Sequence, residues 1–171
     1  MLAWAMAALT LAALPAPAAL ALAAPVTTAF GFSGGSGLVG QAGTLDAQVL
    51  EIVSAAATHI FEIELADEPA QRQKGLMYRR QLAGNAGMLF DFKAEQPISM
   101  WMKNTYIPLD MLFISQSGEV LHIAEHTVPF SLDRIDSGAP ARFVLEVAAG
   151  TAGRLGIKPG DTVRHRLMAP R

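Results

Sequence analysis

GMLFDFKAEQPISMWMKNTYIPLD, residues 87–110, decides the fold, because its apolar residues fall in short runs broken by Pro97 and Pro108. Each proline lacks a backbone donor and fixes its own φ, so the runs read as separate short strands. They are Met88 to Phe92, Ser99 to Lys103 and, beyond Pro108, Leu109 to Ser115.

Upstream, Phe61, Ile63 and Leu65 alternate with Glu62 and Glu64, which predicts a half-buried strand over Thr58 to Ala66. Val49 to Ser54 reads as the strand before it, joined through Ala55-Ala56-Ala57, a segment that would equally suit a helix. Asp67 is expected to cap a helix with Pro69 in its first turn and Gln71 to Tyr78 beyond, turning Leu76 and Met77 to the core. Downstream the expected strands are Glu119 to Glu125, Arg142 to Val147 and Thr162 to Met168. Ser117-Gly118 should close a hairpin, Thr151 should cap a one-turn helix ending at Gly156, and Pro159-Gly160 should turn the chain into the last strand. The expected fold is therefore mainly β (α+β), a single small barrel-like or sandwich-like domain over residues 47–169 with one or two short helices.

Trp101-Met102-Lys103-Asn104-Thr105, followed by Ile107-Pro108-Leu109-Asp110 and preceded by Gly75-Leu76-Met77, closely resembles the hallmark of domain-of-unknown-function family 192. Its members are small, often exported bacterial and archaeal proteins. The resemblance runs from about Val49 to Val163 and includes Gly156-Ile157-Lys158-Pro159-Gly160-Asp161. It implies a β-rich fold, favours a strand at Val49 to Ser54, and brings no settled activity with it.

Composition narrows the function classes. Thirteen basic residues against fifteen acidic ones create no field that would draw the chain to nucleic acid. The absence of cysteine excludes disulfides, thiolate nucleophiles and Cys-ligated zinc. Met1 to Ala24 carries no charge, is mostly Ala and Leu, and ends in Ala21-Leu22-Ala23, with small residues where signal peptidase needs them. We expect a signal peptide at residues 1–23, a mature chain beginning at Ala24, and a periplasmic or secreted protein free of the membrane after cleavage. The alternative is an uncleaved membrane anchor; the first basic residue is Arg72, so the usual positive flank is missing. Residues 24–46, rich in Gly, Ser and Thr and including Gly34-Gly35-Ser36-Gly37, have the composition of a flexible tether.

Strand parity organises the candidate site. If Met100 and Met102 face the core, Trp101 and Lys103 share the outer face, where an exposed indole beside an ammonium makes a stacking and anion-pairing platform. The favoured expectation is plainer: a helix or loop covers Trp101 and the Lys103 stem lies across it. Asp110 interrupts an apolar run, so it is expected to be desolvated and paired with Lys103, with Asn104 and Thr105 as further donors. Its functional reading is a polar pocket of Lys103, Asn104 and Asp110. Glu125 extends the Leu121 and Ile123 face, Glu146 follows Leu145 in an apolar strand, and such strand-end carboxylates can bind a cation or work as acid and base. Ser137, in Ser137-Gly138-Ala139-Pro140, would bring a hydroxyl to the same rim without the setting of a hydrolase nucleophile. Met100 and Met102, with His122 or His126, form a copper alternative, although methionine is more often core filler.

The resulting expectation is an exported ligand-binding or accessory module, for a small polar ligand or saccharide, with no catalytic residue, metal or cofactor. Its ligand-binding residues would be Trp101, Lys103, Asn104, Asp110, Glu125 and Ser137. Alternatives are an enzyme acting on a polar envelope metabolite or saccharide through Lys103, Asp110 and Glu125, and a protein-interaction scaffold.

Overall fold

Alternation in β2, Thr58–Ala66, buries Phe61 and Ile63 while Glu62 and Glu64 stay wet, and the rest of the sheet is built out from this strand. The computed structural model describes residues 48–168. The expected signal segment and tether, residues 1–46, lie outside the described residues.

The remaining elements are β1 (Val49–Val53), α1 (Pro69–Lys74), β3 (Ala86–Gln96), β4 (Ser99–Met100), β5 (Leu109–Ile114), β6 (Val120–Ala124), β7 (Ile135–Asp136), β8 (Ala141–Ala148), α2 (Thr151–Leu155) and β9 (Thr162–Arg164). Seven strands form one curled sheet in the order β6-β5-β8-β3-β2-β1-β9, and β4 pairs with β7 in a small ribbon. Among the described residues only β2 and β3 run parallel, the crossover between them carrying α1; the other pairs are antiparallel. The fold is mostly β, a single small half-barrel domain, as the strand pattern predicts. The Ala55-Ala56-Ala57 segment is a turn, in which Ser54 N–H donates to the Ala57 carbonyl at 2.9 Å.

The curl brings the outer strands together at one end. Glu119 bridges Thr162, and the Val163 N–H donates to the Gly118 carbonyl at 2.6 Å. Gly118 holds φ +89°, and a Cβ there would collide with the Val163 carbonyl, so glycine is required both by the hairpin and by the approach of β9.

Two cores result. One draws on all seven strands, with Leu50, Phe61, Leu89, Leu112, Val120, Leu145 and Val163 among its members, and α2 adds Ala152. The other lies on the opposite face, where Met88, Phe90, Met111, Phe113 and Val144 pack under Leu76, Ile98 and Met102.

Several boundaries move. The N-cap of α1 is Glu68, whose N–H donates to Gln71 Oε1 at 3.0 Å, because the Asp67 carboxylate turns to Lys93 at 3.1 Å. α2 starts after Gly150 at φ 79°, so Thr151 is its first residue and not its cap, while Gly156 ends it as expected. β4 stops at Met100 where a strand to Lys103 was expected, and β7 was not foreseen.

Candidate functional site

β8 sits between β5 and β3, so both of its edges are paired, and the two cores lie on its two faces. Phe143, Leu145 and Val147 point into the seven-strand core; Val144 and Glu146 point the other way, with Glu146 opposite Met88 on β3 and Met111 on β5. Glu146 is thus a mid-sheet carboxyl, not the strand-end charge expected from the sequence. It is 4% exposed and forms part of a cavity of about 270 Å³. Phe90, Phe92, Met100 and Trp101 make the apolar lining, and Arg72 and Lys74 of α1 bring positive charge. Gly75, at φ +47°, closes α1 over this space: a Cβ there would lie 3.0 Å from Phe90 Cζ and 3.9 Å from Glu146 Oε2.

No donor among the described residues reaches the Glu146 carboxyl. Burial alone pushes its pKa up from 4.5 to about 8, so at neutral pH the group is a protonated acid with an O–H to donate. Asp91, on the neighbouring strand β3, shows what pairing does. Burial works to raise its pKa too, but Arg142 at 3.1 Å, the Lys93 N–H at 2.7 Å and the Lys93 ammonium outweigh it and hold the carboxyl below its ordinary value.

Trp101 follows the end of β4 and is 50% exposed. The expectation that a helix or loop covers it is therefore wrong. Met102 turns fully inward, and Lys103 turns out with its Nζ 5.4 Å from the Trp101 ring centroid, which is the platform that parity suggested. Beyond Trp101 lies a second hollow of about 300 Å³, bordered by Lys103, Asn104 and Tyr78; Gln73, Lys74, Met77 and Trp101 line both spaces. Asn104 (φ 54°) and Tyr78 (φ 66°) both adopt left-handed backbone, which Asn tolerates and Tyr rarely does. The Tyr78 N–H donates to the Asn104 carbonyl at 2.9 Å, and Asn104 Nδ2 donates to Tyr78 Oη at 2.9 Å.

Asp110 is elsewhere. It is fully buried and accepts the His126 N–H and the Ala152 N–H, each at 2.9 Å. No ion pair joins it to Lys103 among the described residues, which corrects the expected pairing: main-chain donors from the end of β6 and the start of α2 do what the ammonium was expected to do. On β5 it shares the face of Leu112 and Ile114, opposite to that of Glu146, so the polar pocket of Lys103, Asn104 and Asp110 does not assemble. Glu125 is exposed beside α2, its Oε2 3.4 Å from where a Gly153 Cβ would stand. Ser137 is buried and committed, accepting the Ile98 N–H at 3.1 Å and donating to the Ala139 carbonyl at 2.7 Å. It borders a separate hollow with Pro97 and Arg134. The expected set therefore divides: Trp101, Lys103 and Asn104 come together, whereas Asp110, Glu125 and Ser137 do not join them.

The methionine pair is also divided, because Met102 is sealed in the core while Met100 lines the Glu146 cavity. His122 stacks on Phe113 with centroids 5.8 Å apart. Among the described residues no three His, Cys, Asp or Glu side chains are placed to hold a metal ion.

The profile of a family of unknown function, DUF192, described as an uncharacterised ACR, matches residues 51–165. A search of curated proteins finds no match. Among solved structures, a candidate transcription regulator from Sinorhizobium meliloti is 48% identical, with a TM-score of 0.68 over 72% of this chain and 97% of that one. A protein of unknown function from Novosphingobium aromaticivorans is 38% identical, with a TM-score of 0.67 over 68% of this chain and 83% of that one.

Proposed function

The chain belongs to DUF192, a family of unknown function, and we propose that it is a small-ligand-binding module whose pocket takes a hydroxylated ring, a saccharide being the class that fits. One observation carries this reading: the protonated, unpartnered Glu146 in a cavity lined by Trp101. Keeping a polar group buried without a partner costs stability, and such costs concentrate where a ligand completes the hydrogen bond. A sugar ring presents a C–H face to an indole and hydroxyls at its edge, which matches an aromatic lining around one buried donor. The cavity lies near the small end of ligand pockets, which run from about 300 Å³ upward.

The acid–base alternative loses its support, because Asp110 is saturated by main-chain donors on the other face of the sheet. The charge balance of −2 lends no support to a nucleic-acid role such as the Sinorhizobium protein's description suggests. The uncharged Ala-Leu segment ending in Ala21-Leu22-Ala23 supports a place outside the cytoplasm, and intact-mass measurement of the protein recovered from that compartment tests it, a chain beginning at Ala24 being expected.

Binding is tested by thermal shift of the full chain against a panel of monosaccharides. Ligand bound at about 100 times its Kd adds about 2.7 kcal/mol to the folded state and raises Tm. Glu146→Gln and Trp101→Ala should each abolish the shift; a shift that survives both would refute the site.

A further inference from the structure

The cavity around Glu146 accounts for the buried acid but not for the cations beside it. Lys74 lines both hollows and carries no carboxylate ion pair among the described residues; its field reaches Glu64, which Arg79 already holds through two hydrogen bonds. Lys103 has no carboxylate partner there either, its Nζ resting over the Trp101 ring. An exposed cation–π contact is weak, so the ammonium is easily drawn to an anion. Nearby acids are already committed, Asp67 and Asp91 to Lys93. Arg72 is held by the Asp67 and Asp91 carbonyls and lies over Phe92, so it is part of the wall.

Resting on the saccharide reading, we propose that the site spans both hollows and selects an acidic sugar: the ring stacks at Trp101 with a hydroxyl or carbonyl on Glu146, and the ring's carboxylate is taken by Lys74 and Lys103. A protonated acid in one hollow and two unpaired ammoniums around the other suit different ends of one ligand. A neutral acid also adds no charge that would repel the anion. The second hollow supplies further polar groups, since the Asn104 amide donates to Tyr78 Oη and leaves the Tyr78 hydroxyl free to donate onward.

The test is calorimetric titration of the full chain with three pairs of probes, each pair sharing a ring and one member carrying a carboxylate, at C6 in the uronates and on a lactyl ether in the muramate: glucose and glucuronate, galactose and galacturonate, N-acetylglucosamine and N-acetylmuramate. In at least one pair the acidic member should bind about tenfold tighter or better at low salt. Raising salt from about 50 to about 300 mM should reduce that advantage, because charge attraction at an exposed rim is screened. Lys103→Gln and Lys74→Gln should each reduce the advantage at an unchanged melting temperature, weakening the acidic sugar more than the neutral one, whereas Glu146→Gln should weaken both members of the pair alike. Equal binding within every pair, or a lysine substitution that weakens both members alike, overturns the acidic-sugar assignment and leaves the saccharide reading standing. Failure of all six probes to bind overturns both.

Discussion

Two carboxyl groups stand on adjacent rungs of the same strand pair: Asp110 faces Val147 across β5 and β8, and Glu146 faces Met111. They point to opposite sides of the sheet, and their chemistry is opposite as well. Asp110 is wholly enclosed yet satisfied, with one main-chain N–H on each oxygen. Glu146 is nearly as enclosed, and its carboxyl receives no hydrogen bond from the described residues. Burial therefore does not decide whether a carboxyl is structural; the donors around it do. Asp110 fastens the end of β6 to the start of α2. Glu146 carries an unmet hydrogen bond into an open cavity.

The largest test of this contrast is Asp110→Ala, which strands the buried Ala152 N–H and the part-buried His126 N–H at about 1–3 kcal/mol each. A loss of about 4 kcal/mol in urea-unfolding free energy at pH 7 is expected; a loss under about 1 kcal/mol would show that Asp110 fastens nothing.

The mirror experiment is Glu146→Gln, read as a function of pH. The carboxyl titrates near 4.5 when unfolded and about 8 when folded, so between these values the folded chain holds a proton that the unfolded chain has lost. Stability is full below the lower value and falls as pH rises to the upper one, by up to about 4–5 kcal/mol for a shift of this size and less once water enters the cavity. Arg72 and Lys74 are the other charged groups lining the cavity. The glutamine variant lacks this alkaline loss and should overtake the parent by about 2 kcal/mol or more at pH 8, while matching it at pH 5. Parallel pH profiles for the two proteins would remove Glu146 from this account. On the acid side the sign reverses. The depressed Asp91 carboxyl contributes stability that is present above its unfolded value and is lost as pH falls through its folded one.

Smaller still is Asp110→Asn, which keeps one acceptor and turns an amide N–H towards the other donor, for an expected loss of about 2 kcal/mol. The smallest effect should be that of Lys103→Gln, within about 0.5 kcal/mol of the parent, since the ammonium is exposed and makes no ion pair among the described residues. If it instead matched Asp110→Ala, the expected pairing of the two residues would be restored.

The strands were legible because alternation is local: Phe61, Ile63 and Leu65 declare β2 without help from the rest of the chain. That Trp101 and Lys103 share a side away from Met102 was legible for the same reason, although β4 ends before either of them and the favoured expectation had Trp101 covered. β7 escaped because two residues set no period. The partner of Asp110 was misread because side-chain identity points to an ammonium, whereas His126 and Ala152 supply main-chain N–H groups that every non-proline residue has. Glu146 was noticed but set at a strand end. Its signal lay in its neighbours: Phe143, Val144, Leu145 and Val147 form the apolar run of a strand covered on both faces, in which a lone acid is largely withdrawn from water.

The strand order β5-β8-β3 fixes when the site can exist. β1, β2 and β3 emerge early in synthesis, and β5 with β6 forms a second hairpin unit, yet nothing in the sheet joins the two until residues 141–148 slide between them. That closing strand carries Glu146. A chain cut short before β8 therefore leaves two strand edges open to other chains, and has no cavity floor. The proposed binding centre is made in the same step that seals the sheet, so on that reading a nascent or damaged chain would bind no ligand until it has folded.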